Sequence, residues 1–161
     1  MPRKKRLQED LAQNVPFESI QIEAFLSLIR TSDSLLYEAN AFFRRYGLTM
    51  TQYNVLRILR GAHPEGHPSL EIGRRLIKRV PDVTRLIDRL QGLGYAERVR
   101  SDEDRRVVRV RITKKGLALL KSIDRAAADH HNALLGHMSE AKLKKLISLL
   151  EDVRSPSAAE Q

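Results

Sequence analysis

The run Arg79-Val80-Pro81-Asp82-Val83-Thr84-Arg85-Leu86-Ile87-Asp88-Arg89-Leu90 decides how this chain folds. Within it and just beyond, Val83, Leu86, Ile87, Leu90 and Leu93 recur at the spacing of a helix with one apolar side. The opposite side carries Pro81, Thr84, Arg85, Asp88 and, at its edge, Arg89. Pro81 suits a first helical turn, where its missing N–H is not needed, and Asp82 suits the positive end of the helix dipole. Gly92 and Gly94 predict where the helix stops.

Just upstream, Ser69 is positioned to cap a short helix from Leu70 to Ile77 whose inner side is Ile72, Gly73 and Leu76. Glycine is costly inside a helix, so Gly73 predicts close approach of a second helix. Two short helices joined by a few residues make a helix-turn-helix. Next come Ala96-Glu97-Arg98-Val99-Arg100, a polar hexamer, and a second strand from Val107 to Thr113. That strand alternates, with Val108, Val110 and Ile112 on one side and Arg109 and Arg111 on the other. Helix, helix, strand, charged loop and strand predict a winged helix-turn-helix.

Four segments resemble one known family: Val83 to Leu90, then Gly94-Tyr95-Ala96-Glu97-Arg98, then Asp102-Glu103-Asp104-Arg105-Arg106, then Ile112-Thr113-Lys114-Lys115-Gly116. In order and spacing they are similar to the MarR family of bacterial transcription regulators. The similarity runs from Phe17 to Arg154, its specific part from Leu70 to Gly116. It implies a mainly α fold with a small antiparallel β-wing, flanked by N- and C-terminal dimerisation helices. It also implies a short third strand in the Pro- and Gly-rich loop from Gly61 to Pro68.

Charge agrees with a polyanionic partner. The chain holds 29 basic and 20 acidic side chains, a formal net charge of +9. Fourteen Lys and Arg against seven Asp and Glu fall between Leu70 and Gly116, so +7 of that excess lies in the winged module. With 42% apolar and 30% charged residues the composition is that of a globular protein. No apolar run approaches the ~18 residues of a membrane span, and no hydrophobic signal region follows the basic Met1-Pro2-Arg3-Lys4-Lys5-Arg6 start, so the expected location is the bacterial cytoplasm. With no cysteine the chain has no thiol with which to sense oxidants, which removes one branch of the resembling family.

The organisation expected is a flexible basic arm over residues 1–16, an N-terminal dimerisation helix over 17–47, the DNA-binding module over 48–113, C-terminal dimerisation helices over 114–155 and a frayed tail over 156–161. Thr49 and Gln52 form a capping box for a helix reaching Arg60. Thr113 and Ser139 are placed to cap the last two helices. The terminal helices carry more apolar surface than one winged module covers. The resemblance implies that a second chain covers it, giving a two-fold homodimer.

A recognition helix places its N-terminal residues nearest the base edges of the major groove. Arg85 is the expected base reader, through two hydrogen bonds to guanine, or else it and Arg89 pair with Asp82 and Asp88. Pro81, Asp82 and Thr84 suit base or phosphate contacts, and Lys78, Arg79 and Arg89 suit the backbone. In the wing, the resemblance implies that Asp104 holds Arg106 extended for the minor groove, with Arg98, Arg105, Arg109 and Arg111 on flanking phosphates. It also implies a small aromatic ligand near Tyr37, Phe42, Phe43, Tyr46 and Tyr53, residues that core packing explains as well.

Other classes find less in the residues. Non-specific DNA organisation shares the charge signature. His130 and His131 are adjacent, and neighbours on a helix diverge by about 100°, which gives a poor start to a metal site. No Gly-rich phosphate loop, Gly-x-Ser-x-Gly elbow or His-Glu-x-x-His pair suggests an enzyme, and no cofactor is expected. Aromatic content of 5% is too sparse for a base-stacking platform. The reading is a sequence-specific, double-stranded DNA-binding regulator, with repression as its commoner use in similar proteins.

Overall fold

The computed structural model describes residues 7–100 and 108–155. Its elements are α1 (Leu7–Asp10), α2 (Ile20–Arg44), α3 (Met50–Gly61), β1 (His67–Pro68), α4 (Ser69–Arg75), α5 (Val83–Gly92), β2 (Ala96–Arg100), β3 (Val108–Ile112), α6 (Lys114–Leu135) and α7 (Glu140–Arg154). The strands form one antiparallel sheet in the order β1-β3-β2. The chain divides after Leu120 into two compact units.

Local chemistry sets the element ends. Ser19 caps α2, its hydroxyl accepting from Ile22 N at 3.2 Å. The expected capping box opens α3: Gln52 N donates to the Thr49 hydroxyl at 3.1 Å, and Thr49 N donates to Gln52 Oε1 at 2.8 Å. Asn40 ties α2 to this start, its Oδ1 accepting from Met50 N at 3.0 Å. β1 completes the sheet with His67 opposite Val110 and Pro68 opposite Arg109, the short third strand that the resemblance implies.

In the first unit α3 packs against α2, α4 and β3, and α5 packs against α4 and β2. Phe43, Leu56, Leu59, Ile72, Ile87, Leu90 and Val110 are fully buried there. Gly73 does sit at a close approach, since a Cβ on it would meet Val83 Cγ2 at 3.0 Å. The second unit comprises the rest of α6 and α7; Ile123 and Ala127 are buried, while Ile147, Leu149 and Val153 of α7 are more than half exposed.

Both expected ends of α4 differ. Ser69 is the first residue of α4 and does not cap it: Pro68 holds the cap position at φ −59°, and no side-chain hydrogen bond closes that end. α4 stops at Arg75 because Leu76 turns to an extended conformation, leaving Ile77 outside the helix. Ser139 holds the N-cap position of α7 as expected, although no side-chain bond closes that end. Thr113 behaves as expected, accepting from Gly116 N at 3.1 Å while its hydroxyl donates to Gly94 O at 2.7 Å.

Candidate nucleic-acid interface

Helix α5 buries Ile87 and Leu90 completely and turns Thr84, Arg85, Asp88 and Arg89 outward, all exposed. Its N-cap is Asp82, whose carboxylate accepts from Arg85 N at 2.8 Å. Pro81 therefore precedes the cap instead of filling the first turn, which corrects the expected start by two residues. At the other end Gly94 adopts φ +75°, with Tyr95 N donating to Leu90 O and Gly94 N to Gln91 O, each at 2.9 Å. This paired closure is open to glycine at little cost and sends the chain directly into β2.

The turn from α4 to α5 carries Lys78 and Arg79, both exposed. It is held by α3, where Asn54 Oδ1 accepts from Ile77 N at 3.1 Å. Sequence reasoning missed Asn54, because its partner lies 23 residues away and no local pattern marks it. On α4, the Arg75 guanidinium bonds Glu71 at 2.6 Å and holds its carboxyl below the ordinary glutamate range.

Neither alternative partner expected for the α5 arginines is taken up. Asp82 is used in capping, and Asp88 pairs with Arg98 of β2 at 2.6 Å. Among the described residues Arg85 and Arg89 make no ion pair. Both border a surface cleft of about 670 Å³ that Gly47, Gln52 and Leu93 also line.

The hairpin that follows is regular, with Arg98 opposite Val110 and Arg100 opposite Val108. Asp104, Arg105 and Arg106 lie outside the described residues, as do Asp102 and Glu103. Three other wing arginines, Arg98, Arg109 and Arg111, are engaged with protein. Arg98 Nη1 also donates to Gln91 Oε1 at 2.7 Å, Arg109 Nη1 donates to Gly66 O at 3.3 Å, and Arg111 Nε to Glu65 O at 3.3 Å. Phosphate contacts by Arg98, Arg109 or Arg111 would have to compete with these bonds.

The aromatic residues divide. Phe43 stacks on Tyr53 with centroids 4.1 Å apart, Phe42 meets Phe43 edge-on at 5.0 Å, and Tyr46 lies 5.4 Å from Phe42. Phe42, Phe43 and Tyr53 are buried, and the Tyr53 hydroxyl accepts from Arg57 at 3.1 Å. Tyr37 is 66% exposed and lines a separate cleft with Asp10 and Arg30. The five do not enclose one cavity; four pack together and Tyr37 stands apart. His130 and His131 have ring centroids 6.0 Å apart, and no group of three metal-ligating side chains occurs among the described residues.

A helix-turn-helix with an arginine-bearing outer face beside a β-hairpin is the geometry of a duplex reader, and comparison with known proteins agrees. The MarR family model matches residues 46–107. The crystal structure of a MarR transcription factor from Planctomyces limnophilus is 43% identical, spanning 84% of this chain and 98% of that one, with a TM-score of 0.64. This chain belongs to the MarR family. It is a DNA-binding transcription regulator of winged-helix fold. Two more distant structures share the fold. MepR of S. aureus, solved as a complex with DNA, is 19% identical over 81% of this chain and 96% of its own, with a TM-score of 0.71. CouR of Rhodococcus jostii, bound to p-coumaroyl-CoA, is 19% identical over 89% and 100%, with a TM-score of 0.68. No described helix of this MarR-family chain is long and apolar enough to cross a membrane.

Proposed function

We propose that this regulator represses transcription in the bacterial cytoplasm as a homodimer on an inverted-repeat operator and is released by a small aromatic ligand. The observation that carries the reading is the exposed Thr84-Arg85-Arg89 face of α5, whose arginines have no ion-pair partner among the described residues. Arg85 reads a guanine in the major groove, Thr84 contacts an adjacent base or phosphate, and Lys78, Arg79 and Arg89 hold the backbone. Pro81 lies at the N-terminal approach to the same groove. Arg106, oriented by Asp104, enters the neighbouring minor groove, with Arg105 on a flanking phosphate.

Support for the dimer comes from apolar residues that one chain leaves uncovered. Ile22, Phe25 and Ile29 follow one face of α2 and are 38%, 61% and 56% exposed. Contiguous exposed apolar surface marks an interaction site, and a two-fold pair would set two recognition helices one helical turn apart, about 34–36 Å. Phe25→Asp would bury a carboxylate in that interface. It should yield monomers by light scattering and weaken operator binding at least ~100-fold, since a two-site complex becomes a one-site one. A variant that stayed dimeric would remove α2 from the interface.

Support for the ligand is fold-level: CouR carries a p-coumaroyl group on the same architecture. Such a ligand acts by favouring a different spacing of the two recognition helices.

Selection of bound duplexes from a random pool at physiological salt tests the function. An inverted repeat should emerge, preferred over random duplex by at least ~10³-fold. Enrichment of no sequence would indicate a non-specific DNA-organising protein instead. On the selected site, Arg106→Ala should lower affinity about tenfold or more while leaving the dimer mass unchanged. Full affinity in a gel-shift titration would overturn the wing assignment.

A further inference from the structure

Asp88 sits on the outer face of α5, between the two arginines assigned to DNA, with its side chain 56% exposed. A carboxylate there faces a duplex carrying one negative charge per ~1.7 Å of axis, and unpaired it would oppose binding. It is not unpaired. Arg98 of β2 reaches it at 2.6 Å and donates to Gln91 Oε1, one turn further along, at 2.7 Å. The Arg98 side chain is only 27% exposed and extends from the paired middle of its strand, opposite Val110. Both contacts are made by the same terminal nitrogen, Nη1, whose two N–H groups serve the two acceptors.

The two acids of the segment are thus both occupied, Asp82 by capping the helix and Asp88 by Arg98, while Arg85 and Arg89 keep their charge for the partner. We infer that Arg98 is a positioning residue that acts through Asp88: it neutralises the carboxylate on the reading face and so leaves that face to Arg85 and Arg89. It is not a phosphate contact. This rests on the DNA-binding reading of α5 given above, and it explains how an aspartate persists in the middle of a face meant for a polyanion.

The test measures affinity of the full-length protein for its selected duplex in four forms: unaltered, Arg98→Gln, Asp88→Asn, and both together. Asparagine keeps an acceptor at position 88 without the charge, and glutamine keeps most of the length at 98 without the cation. Arg98→Gln alone should lose about tenfold, because it exposes a like charge to phosphate. Asp88→Asn should stay within ~3-fold of the unaltered protein, and the double variant should recover to the same level. If Arg98→Gln costs the same factor in the Asp88→Asn background as in the unaltered protein, Arg98 contacts DNA directly and the inference is overturned. If all three variants lose alike, the pair is a mere tether and the inference is equally overturned. Thermal midpoints of the four forms separate binding losses from loss of fold. Failure of the unaltered protein to prefer any duplex would instead refute the DNA reading itself.

Discussion

Gly66→Ala should lower the stability of the winged module by about 3 kcal/mol or more. Gly66 adopts φ +71°, and a Cβ built there would lie 2.1 Å from Val110 O and 2.8 Å from Val110 C. Both are backbone atoms of a fully buried residue in the central strand, paired to β1 on one side and β2 on the other. The strand cannot move aside without breaking one ladder, so β1 must leave. The Gly66 carbonyl that receives Arg109 would be displaced with it. A left-handed conformation alone costs a non-glycine residue ~1–2 kcal/mol, and the steric overlap adds to this. Thermal unfolding followed by circular dichroism should show a midpoint lowered by about 10 °C. Gly61→Ala, where nothing lies within 4 Å of the added carbon, is the control expected to change little. A Gly66→Ala protein as stable as the control would mean that β1 is not held against β3.

Arg85→Ala should leave folding intact and remove sequence preference at one base pair of each half-site. The Arg85 backbone N–H, which closes the cap with Asp82, survives the truncation, and the side chain has no ion pair among the described residues to lose. A bidentate arginine–guanine contact is worth about 1–3 kcal/mol of discrimination, so affinity for the selected site should fall about 5- to 150-fold. The variant should bind competitors altered at that one position as tightly as it binds the selected site. A variant that kept full preference would remove Arg85 from base reading.

The recognition helix is legible in the sequence because its signal is periodic and local: Ile87 and Leu90 inward, Arg85 and Arg89 outward, Gly94 at the stop. The wing strands are legible for the same reason, through the alternation of Val110 and Ile112 with Arg109 and Arg111. Helix starts are less so. A polar residue ahead of an apolar run suggests Ser69 as a cap, but Pro68 already has a φ compatible with helix entry, and the serine is drawn into the first turn. Least legible is which cations the protein uses on itself. Composition counts Arg98, Arg109 and Arg111 with Arg85 as charges available to a partner. Only tertiary structure pairs Arg98 with Asp88 and Gln91, and Arg109 and Arg111 with carbonyls more than forty positions earlier. Asn54 belongs to the same class, since a single hydrogen bond to Ile77 across the fold leaves no trace in local spacing.

Helix α5 is closed at its start by Asp82 and at its end by the paired bonds of Gly94 and Tyr95, all supplied by its own chain. A helix so closed does not need a duplex in order to wind. For α5 itself, meeting DNA then costs the freezing of a few long side chains, not the ordering of a backbone. Right and wrong sequences alike meet the same rigid template, and a mismatched groove cannot be accommodated by local refolding.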